Sequence, residues 1–138
     1  MELNDQLHTE IMDLCSEGDQ LVEINKYNDA IEKYVKALNL IPEPKTDWEA
    51  STWIYTALGD TCFINGDFAE SKEYLYDAIN CPGGLDNPFI MLRLGESLFE
   101  LGDLEKAKEY LMKAYMLEGY DVFDGEDEKY YLMIKNLI

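Results

Sequence analysis

The chain has one histidine, His8, and no serine or cysteine is placed with it as nucleophile and base. It also lacks a glycine-rich phosphate loop, a metal-ligand spacing and a paired-carboxylate motif, so no catalytic residue, metal or cofactor is expected. Basic residues are scarce: 11 Lys and Arg stand against 29 Asp and Glu, for a formal net charge of −18. Phosphate contacts require positive surface, which argues against nucleic acid as a partner. The three cysteines, Cys15, Cys62 and Cys81, make an odd count with no C-x-x-C spacing, and two of them fall on helical apolar stripes. They read as buried thiols in a reducing compartment. No run approaches the ~18 apolar residues of a membrane span, and Met1-Glu2-Leu3-Asn4-Asp5 opens with neither a basic region nor an apolar one. The expectation is a cytoplasmic protein with no membrane partner.

What the chain does have is repetition. Gly18, Gly59 and Gly95 are each followed, at the same offsets, by a small residue, a bulky apolar residue and an alanine: Ala30, Tyr34 and Ala37; Ser71, Leu75 and Ala78; Ala107, Leu111 and Ala114. Small residues at helical offsets let two backbones approach closely while the bulky residue fills the space beside them. Between glycine and follower lie Asn25-Lys26-Tyr27, Gly66-Asp67-Phe68 and Gly102-Asp103-Leu104. Gly and Asn accept the left-handed conformation that ends a helix, and Asp67 and Asp103 are placed to cap the next one. Each copy is therefore an antiparallel helix hairpin, and a hairpin cannot bury its apolar face until a neighbour stacks on it.

Apolar periodicity predicts helices over 5–24, 28–41, 47–65, 68–80, 88–101, 104–118 and 127–137. The repeat glycines are 41 and 36 positions apart, so the extra length is expected in Pro42-Glu43-Pro44-Lys45 and in Cys81-Pro82-Gly83-Gly84-Leu85-Asp86, the longer spacing widening the angle between the first two hairpins. Thr46-Asp47-Trp48-Glu49 fits a capping box, and Asn87-Pro88 sets a capping residue before a first-turn proline. The loop holding Asp121, Asp124, Glu126, Asp127 and Glu128 is not a calcium hand, because Tyr120 and Val122 fall on the ligand places. After it, Tyr130, Ile134 and Leu137 recur at helical spacing and would cap the third hairpin. Tyr131, Leu132, Met133 and Ile138 are apolar too, which leaves room for a partner or a weak dimer through this helix.

The glycine, small and bulky positions, with Pro42 closing the first copy, resemble the tetratricopeptide repeat, a helix–turn–helix unit of about 34 residues. The resemblance runs over residues 8 to 119. Its departures are Glu17 where leucine is usual, Ser71 where alanine is usual, and Pro82 one place early. It implies an all-α solenoid in a single domain, 1–138, with repeats at 8–42, 47–83 and 88–119 and a capping helix at 126–138. Three repeats are about the minimum for a stable stack.

In that family the first helix of each pair lines the concave groove. On the three first helices only Arg93 is basic, whereas the opening helix alone carries Glu2, Asp5, Glu10, Asp13, Glu17, Asp19 and Glu23. The resemblance thus implies an acidic groove. Aligning the copies on their glycines places Asp19 and Glu23, Trp53, Asp60 and Phe63, and Phe89, Glu96, Phe99 and Glu100 inward, as a carboxylate row and an aromatic row. Such a groove is expected to bind a basic protein surface or a Lys/Arg-bearing segment. Some relatives hold acidic chaperone tails with Lys, Arg and Asn; here Asp19, Asp60 and Glu96 stand at the asparagine place, which disfavours an acidic tail. Three non-enzymatic roles fit: neutralising a toxin or nuclease, as an immunity protein does; holding an extended segment of an exported protein, as a secretion chaperone does; or serving as a scaffold subunit.

Overall fold

A computed structural model describes residues 3–138; Met1 and Glu2, the start of the acidic run, lie outside them. Seven α-helices follow in order: α1 (Asp5–Glu23), α2 (Tyr27–Leu40), α3 (Glu49–Ile64), α4 (Phe68–Ile79), α5 (Pro88–Glu100), α6 (Leu104–Glu118) and α7 (Glu128–Leu132). Among the described residues there is no strand. The helices pack as three hairpins, α1 on α2, α3 on α4 and α5 on α6, and the hairpins stack through α2 on α3 and α4 on α5.

The repeated glycines explain the pairing. A Cβ on Gly18 would stand 2.6 Å from Tyr34 Cε1, one on Gly59 2.5 Å from Leu75 Cγ, and one on Gly95 2.8 Å from Leu111 Cδ2. Each contact is with the bulky residue of the same copy, so any larger residue would push the two helices of a pair apart. Ser71, the departure from alanine, is wholly buried and has a use for its hydroxyl. It donates to Gly59 O (2.7 Å) and shares a hydrogen bond with Ser97 Oγ (2.9 Å), tying the second hairpin to the third.

The turns form as expected. Asn25, Gly66 and Gly102 all take positive φ, and Asp67 and Asp103 accept from Glu70 N and Lys106 N. Asn87 accepts from Phe89 N and Ile90 N with Pro88 in the first turn of α5. The expected capping box at Thr46–Glu49 does not form. Lys45–Asp47 is a 3-10 turn, α3 begins at Glu49, and its N-cap residue, Trp48, makes no side-chain cap bond.

The capping segment is also shorter than its periodicity predicts. Tyr120–Phe123 and Lys135–Leu137 are 3-10 turns on either side of the five-residue α7. Tyr130 and Ile134 are buried against Met91, Leu92, Leu111 and Ala114, but Leu137 is 59% exposed and lies outside that cluster. The helix gives way at the second of those anchors: Ile134 N and Leu137 N take 3-10 hydrogen bonds to Tyr131 O and Ile134 O.

Candidate interaction surface

Helices α1, α3 and α5 carry the expected site residues, and α1 and α3 are spaced differently from α3 and α5. The latter pair touch directly, while α1 and α3 approach only weakly. The connectors do not account for this, because residues 41–48 between α2 and α3 and residues 80–87 between α4 and α5 are equal in length. Between α1 and α3 lies a pocket of about 190 Å³ lined by Ile11, Met12, Cys15, Asp19, Tyr34, Ala50, Trp53, Ile54 and Ala57. Trp53 is 52% exposed at this pocket, and Met12 beside it is 42% exposed. Tyr34 OH donates to Asp19 Oδ1 at 2.5 Å, fixing the carboxylate at the edge of the pocket.

Burial, and then Asp19, raise the Cys15 thiol to about 11, so it stays neutral. Among the described residues no cation pairs with Asp19, whose partner is the Tyr34 hydroxyl. Among the described residues of α1 only Glu17 forms an ion pair, with Lys33 of α2 at 3.2 Å. Glu23 is exposed on the last turn of α1. The α1 side of the surface therefore carries negative charge that, apart from the Glu17–Lys33 pair, no cation among the described residues offsets.

The α5 end is built from similar residues and is closed. Arg93 Nε donates to Asp60 Oδ1 at 2.7 Å, and Nη1 donates to Glu96 Oε1 at 2.6 Å and Glu126 Oε1 at 2.5 Å. The guanidinium carbon lies 4.6 Å from the Phe63 ring centre and 5.2 Å from that of Phe89. Arg93 thus occupies an aromatic and carboxylate setting, with its side chain only 13% exposed. Burial alone would lower its pKa, but Asp60 and Glu96 outweigh that and hold it charged.

One step along α5, Tyr130 OH and Lys129 Nζ both donate to Glu100 Oε1 at 2.7 Å. Phe99 meets the Tyr130 ring edge to face at 5.4 Å. The Lys129 contact, and after it the Tyr130 hydroxyl, hold the Glu100 carboxyl below its ordinary value.

Two corrections to the expected carboxylate row follow. Glu96 is wholly buried, so it is no surface carboxylate. Its Oε2 finds no hydrogen-bond donor among the described residues. Burial first, and the neighbouring Glu126 second, push its carboxyl up to about 9 against the pull of Arg93. A proton on Glu96 thus relieves the crowding of negative charge. Secondly, Asp60, Phe63, Phe89, Phe99 and Glu100 are brought together, but around groups of the chain itself. Of the nine expected residues, Asp19 and Trp53 share the open pocket.

Arg93, Glu126, Lys129 and Tyr130 were not among the expected site residues. Arg93 carried a readable signal, as the only cation on the three first helices and three residues before Glu96, a spacing that faces the two side chains together. Glu126 carried none, because 33 residues separate it from Arg93.

A family model described as the tetratricopeptide repeat matches residues 54–80 and 90–120. Three solved structures illustrate the likeness. The C-terminal TPR-containing domain of an FK506-binding protein of Plasmodium falciparum is 22% identical, over 99% of this chain and 93% of that one, with a TM-score of 0.78. The second TPR domain of the human RPAP3 protein, in complex with an HSP70 peptide, is 17% identical over 95% and 97%, with a TM-score of 0.73. The Yersinia enterocolitica type III secretion chaperone SycD, in complex with a peptide of the translocator YopD, is 17% identical over 91% and 90%, with a TM-score of 0.72. No curated protein matches the chain. No helix among the described residues is long and apolar enough to cross a membrane.

Proposed function

We propose that this chain, a stack of tetratricopeptide repeats, is a protein-interaction module that takes one apolar side chain of a partner segment between α1 and α3 and pairs a neighbouring Lys or Arg with Asp19. One observation supports the reading: a half-exposed Trp53 beside an apolar pocket whose edge holds a carboxylate that meets the Tyr34 hydroxyl and no cation among the described residues. Its volume of about 190 Å³ falls below the roughly 300–1,000 Å³ of sites that enclose drug-sized ligands, and suits a single side chain. Aromatic surface provides the contact area, and the negative field selects basic segments and speeds their arrival.

A pocket of this size favours an extended segment over a broad folded face, which places a chaperone-like role ahead of an immunity-type one. The peptide-bound neighbours lend support by analogy of fold alone. The acidic peptide on the human RPAP3 domain does not transfer, since Asp19 and the unpaired acids of α1 would repel it. Neutralising a folded basic toxin or nuclease, or acting as a scaffold subunit, draws on the same α1 charge without needing the pocket. The partner is a cytoplasmic one in this reading.

Calorimetric titration with short peptides that pair an aromatic or leucine side chain with Lys or Arg tests the proposal. Such peptides should bind the protein and lose most of their affinity to Trp53→Ala. Asp19→Asn should slow association and flatten its salt dependence. Equal binding of acidic peptides, or insensitivity to both substitutions, would refute the reading.

A further inference from the structure

Most expected cation-binding groups of this surface are already engaged by a cation of the chain itself. Arg93 lies between the Phe63 and Phe89 rings, and its donors meet Asp60, Glu96 and Glu126 at 2.5 to 2.7 Å. A guanidinium presents five donors in a rigid plane and stacks on aromatic rings, so this is the setting a partner's arginine would seek. Glu126 reaches it from the segment before α7, so the final segment closes over the same site.

We infer that Arg93 is a built-in occupant of a guanidinium site on the α3–α5 half of the surface, and that by filling it Arg93 confines a partner's cation to the Asp19 end. Arg93 is thus a specificity-determining residue that sets where along the stack a basic segment can lie. A chain without it would offer two cation sites, one at Asp19 and one between Phe63 and Phe89, and would accept segments in more than one register. The confinement rests on the reading of the α1–α3 pocket given above; the occupied guanidinium site does not.

N-acetylarginine amide, which carries one guanidinium and no other charge, can be titrated into the full chain and its Arg93→Met variant while side-chain resonances are followed by NMR. Methionine keeps the apolar stem of arginine and removes the fork. In the native chain the shifts should be confined to Met12, Asp19 and Trp53. In Arg93→Met a second, saturable set should appear at Phe63 and Phe89, several-fold tighter for N-acetylarginine amide than for N-acetyllysine amide. Shifts at Phe63 and Phe89 in the native chain, or their absence from the variant, would overturn the inference. If Met12 and Trp53 stay silent in both proteins while the second set appears in the variant, the guanidinium site stands and the pocket reading falls. If Arg93→Met does not fold, hydrogen exchange of Arg93 Nε–H in the native chain decides. It should run at least tenfold slower than in free arginine, and exchange at the free rate would overturn the occupied site.

Discussion

At the α1–α3 end of the stack, Asp19 and Trp53 border an open apolar pocket. At the α5 end, Asp60, Phe63, Phe89 and Glu96 surround Arg93, and Phe99 and Glu100 meet Tyr130 and Lys129. Both ends combine carboxylates with aromatic rings, yet one keeps them available and the other uses them internally. Two features make the difference. The closer approach of α3 to α5 leaves space only for a side chain already there, and the final segment folds back over α5 with Glu126, Lys129 and Tyr130. Residue type alone therefore does not make a binding surface: what matters is whether the chain supplies its own counter-charge.

The largest effect should come from deleting that counter-charge. Arg93→Ala removes the partner of three carboxylates, one of them fully buried. Breaking a buried pair costs roughly 3–5 kcal/mol, and partial exposure of Asp60 and the ability of Glu96 to take a proton reduce that here to about 2–4 kcal/mol. Urea unfolding followed by circular dichroism would measure it; a loss below about 1 kcal/mol would mean that the α5 end is no tighter than the α1 end.

Titration separates the ends next. Because the folded pKa of Glu96 is raised above its unfolded value to about 9, its contribution is fully present below the unfolded pKa and is lost as pH rises toward 9. Stability of the native chain should therefore fall between about pH 5 and 9 at up to about 1.4 kcal/mol per unit from this group. Glu96→Gln, which cannot ionise, should remove that part of the slope, and an unchanged profile would show that Glu96 is ionised throughout.

A matched pair of hydroxyl deletions sharpens the contrast. Tyr130 OH and Tyr34 OH each donate to a carboxylate, Glu100 and Asp19 respectively. Tyr130→Phe and Tyr34→Phe should each cost about 1–2 kcal/mol, read from the same urea curves. Tyr34→Phe should in addition alter peptide affinity at the pocket, whereas Tyr130→Phe should not. Equal effects on binding would erase the distinction between the two ends. Trp53→Ala should cost only about 1–2 kcal/mol in stability, because about half of the indole is already exposed. A larger loss would assign Trp53 to the core.

Much of the fold was legible because its signals are local. Gly18, Gly59 and Gly95 each meet a partner sixteen residues on, and Asn25, Gly66 and Gly102 turn the chain between them. Where a signal was local but ambiguous the reading slipped. Thr46 and Glu49 stand at capping-box spacing, yet a 3-10 turn takes up Thr46, and Leu137 keeps helical spacing after the helix has ended. The site was legible only in part. The inward placing of the first helices grouped Asp60 with Phe63, Phe89 and Glu96, but nothing in their spacing told that Glu126 and Tyr130 would come to meet them.

The sequence by itself determined the hairpins, their number and the excess of negative charge, since helix periodicity, turn chemistry and close glycine contacts act over a few turns of chain. Tertiary structure alone decided which carboxylates remain unpaired. Charge pairing depends on distance in space, and the donors that engage Asp60 and Glu100 come from residues 33 and 29 to 30 positions away, brought there only when the third hairpin and the final segment pack. The one cation that pairs with α1 among the described residues, Lys33, meets Glu17 and not Asp19.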